Sequence, residues 1–365
     1  MGKTIQELFA KIQAGTASEQ ELESFRELLK TIPEEEYQFW LDQWTSHMEQ
    51  ASEAPVHQPR PIAIRWVGLA AAVLLIAIAF YFPFSNNTDD QLVQVDSIIA
   101  APASDKAVLK LASGQEFKLD KEGDILRIHT EEVLLGGKTL STSLGQRTTA
   151  IQYHEIQTPK GGTMKVELPD GSLVHLNANS TLRFRADFQT HREVYMTGEL
   201  FFEVKRDENH PFLVHTQKQT VKVLGTSFNI STYEGDDREE TTVASGLVEV
   251  AAANQKVLLK PNQQAMTAGN ALRVAEVDLA SILDWVSNEF VFKNATVLEV
   301  MQEYERWYDL DINLVNPKEL ETIRLWGNVK RSLNAYKALE QLSYFDILFE
   351  VKSEGGNKKI NIYKR

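Results

Sequence analysis

The sequence predicts a multidomain chain: a small N-terminal all-α bundle, one transmembrane helix, a large all-β domain (sandwich or β-solenoid-like) and a C-terminal α+β module. Three observations predict it. The run Trp66–Phe84, WVGLAAAVLLIAIAFYFPF, carries no charged side chain. From residue 106 to residue 277, short β-type runs follow one another with turn signals between them and no helical period. Beyond residue 278, helix and strand patterns alternate. The expected boundaries are 1–50 for the bundle, 51–65 for a linker, 66–84 for the membrane helix, 85–105 for a tether, 106–277 for the β domain and 278–365 for the last module.

Three short helices are read in the bundle. The first carries Ile5, Leu8, Phe9 and Ile12 at helical spacing, and Gly15 stops it. The second opens at Ser18 with Glu21 three residues on, a capping box, and carries Leu22, Phe25, Leu28 and Leu29. Pro33 followed by Glu34, Glu35 and Glu36 marks the start of the third, whose apolar face is Tyr37, Trp40, Leu41, Trp44 and Met48. Helices this short bury little surface. Two uses for their apolar residues stay open: a bundle core that consumes all of them, or a partly exposed third helix that docks a partner. Eleven acids against six bases in residues 1–65 favour a basic partner. Pro55, Pro59 and Pro61 make the following segment a linker.

At ~1.5 Å per residue, a helix over Trp66–Phe84 matches the ~30 Å hydrocarbon core of a bilayer. No face of it is polar, as a buried helix of a water-soluble domain would require. Trp66 at one end and Tyr81, Phe82 and Phe84 at the other suit the two interfacial belts. Arg60 and Arg65 precede the run, whereas Asp89 and Asp90 follow it and the next cation is Lys106. The positive-inside rule then places the N-terminus in the cytoplasm and everything after Phe84 outside.

In the outer region one pattern repeats. AVLKLASGQEFKL from Ala107 and MKVELPDGSLVHL from Met164 align Leu109, Leu111, Gly114, Phe117 and Leu119 with Val166, Leu168, Gly171, Val174 and Leu176. Each reads as strand, tight turn, strand, with Asp170-Gly171 as a two-residue turn. Further strands are expected at 180–184, 191–196, 200–204, 211–216, 220–224, 228–232, 240–245, 247–251, 255–259 and 265–267. The last module reads as a short helix over 278–288 and then two β-α-β rounds, with matching helix starts at Ala295-Thr296-Val297 and Ser332-Leu333-Asn334.

Composition narrows the chemistry. The chain has 365 residues, a net charge of −13 and no cysteine. That balance disfavours direct nucleic-acid binding, and the lack of thiols removes thiol catalysis, thiolate metal sites and disulfides. No phosphate loop, dinucleotide fingerprint, zinc-protease or serine-hydrolase motif is present, so no enzyme, metal or cofactor is expected. Glu199 and Glu203 share a strand face and are expected to pair with Arg183, Arg192 or Lys205. His154, His175, His191, His210 and His215 show no ligand spacing and are read as structural or surface residues. Asp236, Asp237, Glu239 and Glu240 are read as a solvated loop rather than a calcium site.

Several stretches resemble the FecR-type transmembrane sensors, which act as anti-sigma factors: TPKGGTMKVELPDGSLVHLNANSTLRF from Thr158, REVYMTGELFFEVKRDENHPFLVHT from Arg192, VKVLGTSFNISTYEGD from Val221 and TTVASGLVEV from Thr241. The turn Gly15-x-x-Ser18-x-x-Glu21 is similar to that family's cytosolic domain. Phe290–Thr296, Arg306–Ile312 and Leu325–Leu333 are similar to the STN module of secretins and TonB receptors, which commonly ends FecR-type proteins of the Bacteroidetes kind. The resemblance implies an inner-membrane regulator that holds an extracytoplasmic-function sigma factor through Leu22, Phe25, Leu29, Tyr37, Trp40 and Trp44. It also implies a periplasmic signal from a TonB-dependent transporter, and release by an intramembrane protease, for which Ala70-Ala71-Ala72 offers small side chains. A Gly225-Thr226 pair places a hydroxyl beside a glycine carbonyl, and some relatives are held to self-cleave at such a pair. The structural alternative is a glycine at a bulge or tight bend. The rival reading of the whole chain is a membrane-tethered envelope- or glycan-binding module with Trp307 and Trp326 along a sugar groove.

Overall fold

Alternation of apolar and polar residues at period two makes half-buried strands, and the chain spends them on two layers in turn. The structure, a computed structural model, describes residues 107–119, 124–130, 132–142, 152–354 and 357–365. The expected helical bundle with its sigma-binding residues, the linker, the run Trp66–Phe84 and the tether lie outside the described residues. No helix among the described residues is long and apolar enough to cross a membrane.

The β domain opens with the hairpin β1 (Ala107–Lys110) and β2 (Glu116–Leu119) and the meander β3 (Ile125–Ile128), β4 (Val133–Leu135) and β5 (Lys138–Ser141). Next come β6 (Tyr153–Thr158), β7 (Met164–Glu167), β8 (Leu173–Leu176), β9 (Ser180–Arg185) and the long β10 (Glu193–Glu203). Hairpins complete it: β11 (Phe212–His215) with β12 (Gln219–Val223), and β13 (Ser227–Thr232) with β14 (Arg238–Ser245). They are followed by β15 (Val248–Ala252) with β16 (Gln255–Leu259), and β17 (Gln263–Ala268) with β18 (Ala271–Glu276).

Pairing sorts these strands into two ladders. The first runs β2-β1-β6-β9-β10-β11-β12-β15-β16. The second runs β5-β4-β3-β7-β8-β10-β13-β14-β17-β18. Both expected architectures are therefore partly present. Packing is two-layered, as in a sandwich, while the chain advances along both ladders as a solenoid does. Leu109, Phe184 and Phe212 of the first ladder share one continuous core with Val166, Phe202 and Phe228 of the second. The Phe202 ring lies 6.1 Å from Phe212 and stacks on Phe228 at 5.0 Å. Each such buried ring contributes roughly 1.5–3 kcal/mol over leaving it in water.

Strand β10 joins the layers. The sequence suggests two strands here, yet residues 193–203 form one, pairing with β9 up to Thr197 and with β8 and β13 from Gly198 onward. Gly198 makes the corner at φ +87°, and a Cβ there would lie 2.6 Å from the Ser180 Cα. Ser180 Oγ occupies that space and accepts the Glu199 N–H at 3.0 Å. The corner thus needs a residue without a side chain.

The repeated turn is real but longer than read. Leu111 N–H donates to the Gln115 carbonyl and Gly114 N–H to the Leu111 carbonyl, both at 2.8 Å. Leu168, Ser172 and Gly171 reproduce this pattern, again at 2.8 Å, so each turn spans five residues rather than two. Strands β3 to β6 and β18 add to the sequence expectation.

The C-terminal module contains α1 (Leu279–Ile282), a 3-10 turn over Asp284–Ser287, β19 (Glu289–Thr296) and α2 (Val297–Tyr308). Then come β20 (Asp311–Leu314), α3 (Pro317–Leu320), β21 (Arg324–Lys330), α4 (Ala335–Glu340), β22 (Ile347–Glu354) and β23 (Asn357–Lys364). Thr296 and Glu299 cap α2 reciprocally, and Val297, Val300, Met301, Tyr304, Trp307 and Tyr308 form its buried face. The two expected β-α-β halves exchange partners. β19 pairs antiparallel with β21, while β20 runs parallel to β23, which pairs with β22. The strands that flank each helix therefore belong to different sheets.

Candidate functional site

The outer face of the second ladder should meet water, but part of it is covered. Alternation along β10, β13, β14 and β17 sends Leu200, Phe228, Ile230, Val243 and Ala265 inward. Glu199, Asn229, Ser231, Glu240, Thr242 and Gln264 take the opposite face and line the floor of a cavity of about 430 Å³. Asp284, Trp285, Phe292, Glu303, Trp307 and Arg331 of the C-terminal module line the rest.

Glu199 is fixed on this floor by two amides: Asn177 Nδ2 donates to its Oε2 at 2.8 Å and Asn229 Nδ2 to its Oε1 at 2.9 Å. Asn177 Oδ1 in turn accepts from Arg331 Nη1 at 3.1 Å. Arg331 is 4% exposed. Its Nε donates to the Glu289 carbonyl at 2.9 Å, its Nη2 lies 3.8 Å from Glu303 Oε2, and its guanidinium covers the Phe290 and Trp307 rings at 4.3 and 4.8 Å. The indole of Trp307 donates to the Arg331 carbonyl at 3.0 Å. One buried cation thus ties the β domain to the last module. Around it Arg306 lies over the Tyr233 ring at 4.1 Å, Tyr233 O–H donates to the Ala178 carbonyl at 3.1 Å, and Arg238 Nη2 meets Glu299 Oε1 at 3.2 Å.

The electrostatics follow from burial. Burial, then Glu303, pushes the Asp284 carboxyl up to about 8, against the opposing pull of Arg331. Its Oδ2 accepts the Val291 N–H at 2.5 Å. Burial also raises Glu303 and Glu240, and nearby Arg331 and Arg238 respectively hold them down in part. A cluster of carboxylates around one buried guanidinium shares too little positive charge.

Two family models match in succession, "FecR protein" over residues 154–249 and "FecR, C-terminal" over residues 289–360. Two crystal structures of a protein from Parabacteroides distasonis, described as a candidate anti-sigma factor, align with the chain at 30% and 31% identity and a TM-score of 0.52 each. Each alignment covers 58% of this chain and 99% of the other. The chain belongs to the FecR family. No curated protein matches it. The cavity of this FecR-family protein lies between the two matched regions and takes residues from both.

The residues singled out by sequence scatter. Glu203 pairs with His175 Nε2 at 3.2 Å, so neither Glu199 nor Glu203 has the expected Arg or Lys partner. Arg192 goes instead to Asp170 Oδ2 at 2.8 Å and to the Lys205 and His210 carbonyls. Asp170 also accepts from Ser172 N–H and Oγ, which makes it both a turn residue and the half-buried ion-pair partner of buried Arg192. His154 is buried beside Phe184, accepts the Ala112 N–H at 3.2 Å and is lowered by burial to about 4. His191 and His210 sit beside Asp187 and Asp207, and His215 stacks on Tyr195 at 4.9 Å. Among the described residues, no three His, Asp or Glu side chains converge as metal ligands. Glu239 is not in a solvated loop: it lies buried on β14 and accepts from Thr216, Thr232 and Lys218. Glu240 faces the cavity and pairs with Arg238 at 2.7 Å. At Gly225 a Cβ would lie 2.6 Å from the Arg206 Cα, and the ladder slips register at Ser227/Phe228, so a close approach and a bulge account for the glycine. Thr226 is buried and its Oγ1 has no hydrogen-bond partner among the described residues. Arg331, Asp284 and Glu303 were invisible to motif reading, because their only signal is a charge inside an apolar neighbourhood.

Asp284 predicts an inverted pH dependence. Its carboxyl is neutral when folded near neutrality but charged when unfolded, so its stabilising contribution is full below the unfolded value of 3.8 and is lost as pH rises towards about 8. Asp284→Asn should therefore raise stability at pH 8 by on the order of 2–4 kcal/mol and change it little at pH 3. Denaturant unfolding at the two pH values measures this.

Proposed function

We propose that this FecR-family chain is an anti-sigma factor and a transmembrane signal transducer. Residues 1–50 clasp an extracytoplasmic-function sigma factor in the cytoplasm, with Leu22, Phe25, Leu29, Tyr37, Trp40 and Trp44 as the binding face. Trp66–Phe84 crosses the inner membrane once, N-terminus inside, and the β domain and last module face the periplasm. There they receive a signal from the periplasmic domain of a TonB-dependent outer-membrane transporter, and an intramembrane protease releases the sigma factor. The observation that carries this reading is the alignment over 99% of the P. distasonis protein described as a candidate anti-sigma factor. The uncharged run Trp66–Phe84 with Arg60 and Arg65 on one flank supports the topology.

The rival sugar-groove reading loses one of its two tryptophans. Trp307 is buried and bonded to the Arg331 carbonyl, while Trp326 is 41% exposed on β21.

Co-purification of the full-length chain with each extracytoplasmic-function sigma factor of the host tests the central part. One stable complex is expected, and Trp40→Ala or Trp44→Ala should weaken it about 30-fold, the loss of one aromatic anchor. Binding to none of them would return the tethered-binder reading.

Gly225–Thr226 enters as the proposed scissile bond. Thr226 Oγ adds to the Gly225 carbonyl, the C–N bond breaks, the hydroxyl proton passes to the freed Thr226 amine, and water hydrolyses the resulting ester. Intact-mass analysis should show two polypeptides whose masses sum to the chain plus one water, and a single species for Thr226→Ala. A wild-type protein that stays whole under all conditions ends this part of the proposal.

A further inference from the structure

Eight large apolar or aromatic side chains stand exposed among the described residues, and three of them gather at one end of the first ladder. Leu224 is 40%, Leu247 51% and Leu258 60% exposed. Ladder register places them together. Lys222 of β12 pairs with Glu249 of β15, and extending that register by two residues sets Leu224 against Leu247. Glu249 pairs in turn with Leu258 of β16, so Leu258 is the diagonal neighbour of Leu247, at ~7–8 Å. Val223, Val248 and Leu259, one position away on each strand, are buried in the core, which leaves the three leucines on the outer face. Single exposed leucines mean little, whereas a cluster marks a contact surface.

This cluster borders an open sheet edge. Among the described residues β16 pairs with β15 alone, so the backbone N–H and C=O groups on its other side meet no strand. Lys256 shares the face of Leu258, and Lys260 follows at the same spacing where the strand ends; both are exposed, as is Lys222. Glu249 is the acid between them, and Lys256 Nζ lies 3.3 Å from its Oε1. Three lysines against one glutamate make this end basic in a chain whose net charge is −13.

The lysines select the occupant. A second copy laid on β16 would set lysine against lysine, the repulsion by which sheet edges resist self-pairing. An extended segment with acids at the matching positions satisfies both the backbone and the charge.

We propose that the free edge of β16 is a docking site for an acidic, extended segment of a partner polypeptide, which adds antiparallel as a further strand of the first ladder. Its outward positions read acid, apolar, acid at two-residue spacing, opposite Lys260, Leu258 and Lys256. The apolar residue enlarges the leucine cluster, and the residues between lie opposite Leu259 and Val257. Backbone pairing supplies affinity, and the alternate side chains supply selection. The sigma-factor reading assigns no role to this edge, so the two stand or fall separately.

Fluorescence anisotropy on the full-length chain tests this with a labelled peptide, Thr-Glu-Val-Leu-Val-Glu-Thr, and the same peptide with lysine in place of both glutamates. The acidic form should bind about tenfold or more tighter at low salt, and ~1 M salt should bring the two to within about threefold. Hydrogen exchange on the complex should slow at β16 by about tenfold, because a new strand covers its free amides. Lys256→Glu combined with Lys260→Glu should reverse the preference. Failure of the acidic peptide to bind, equal binding of the two peptides at low salt, or binding without slowed exchange at β16 overturns the proposal. Slowed exchange at β16 through self-association assigns the edge to a second copy, and slowed exchange on phosphatidylglycerol vesicles without peptide binding assigns it to a lipid surface; either overturns it too. The wild-type comparison of the two peptides decides the matter whether or not the charge-reversed variant folds.

Discussion

The joint between the β domain and the C-terminal module turns on one buried guanidinium, that of Arg331. Taking Arg331 out of water costs several kcal/mol, and its two hydrogen bonds, the Glu303 carboxyl at 3.8 Å and two ring faces offset that cost. Its Nε serves the start of β19, its Nη1 reaches the Asn177 amide of the β domain, and Phe290 and Trp307 flank it. Each partner depends on the others. Asn177 also orients Glu199, and Trp307 returns its indole N–H to the Arg331 carbonyl. A charge shared in this way joins the two family regions through directional partners as well as through packing.

The same arrangement explains why a polar stripe of the second ladder is covered rather than solvated. An antiparallel layer with one face on the core leaves its other face for water or a partner. Here the residues chosen for that face, Glu199, Asn229, Glu240, Thr242 and Gln264, are hydrogen-bonding groups, so the covering module meets a polar surface across a cavity rather than a dry seam. Low dielectric then raises Asp284, Glu303 and Glu240. Such a seam is held by few contacts of high consequence, and the protonation of its carboxyls acts on it directly.

How much of this was readable in the sequence varies with the range of the interaction. Period-two alternation located most strands of residues 164–268 within one or two positions, since each strand's pattern is local. The equivalence of Gly114 with Gly171 was readable for the same reason, and both adopt positive φ in matching turns. The continuity of β10 was not, because Gly198 looks like a break until Ser180 is seen filling the space of its missing side chain. Glu199 and Glu203 were rightly placed on one face, yet their partners Asn229 and His175 come from other strands and Asn177 from the turn after β8, and spacing along one strand cannot select among those. The exchange of strands between the two halves of the last module escaped for that reason too. Arg331 and Asp284 left no trace, since a charge in a sequence reads as surface.

The central claim is that Arg331 makes the β domain and the C-terminal module one cooperative unit. Hydrogen exchange on the full-length chain, followed through rising denaturant, tests it on peptides from β10 and α2 for the wild type and Arg331→Met. The account predicts that the two peptides open together in the wild type and at separate midpoints in the variant, with α2 opening first. Independent opening in the wild type, or joint opening at an unchanged midpoint in the variant, contradicts it.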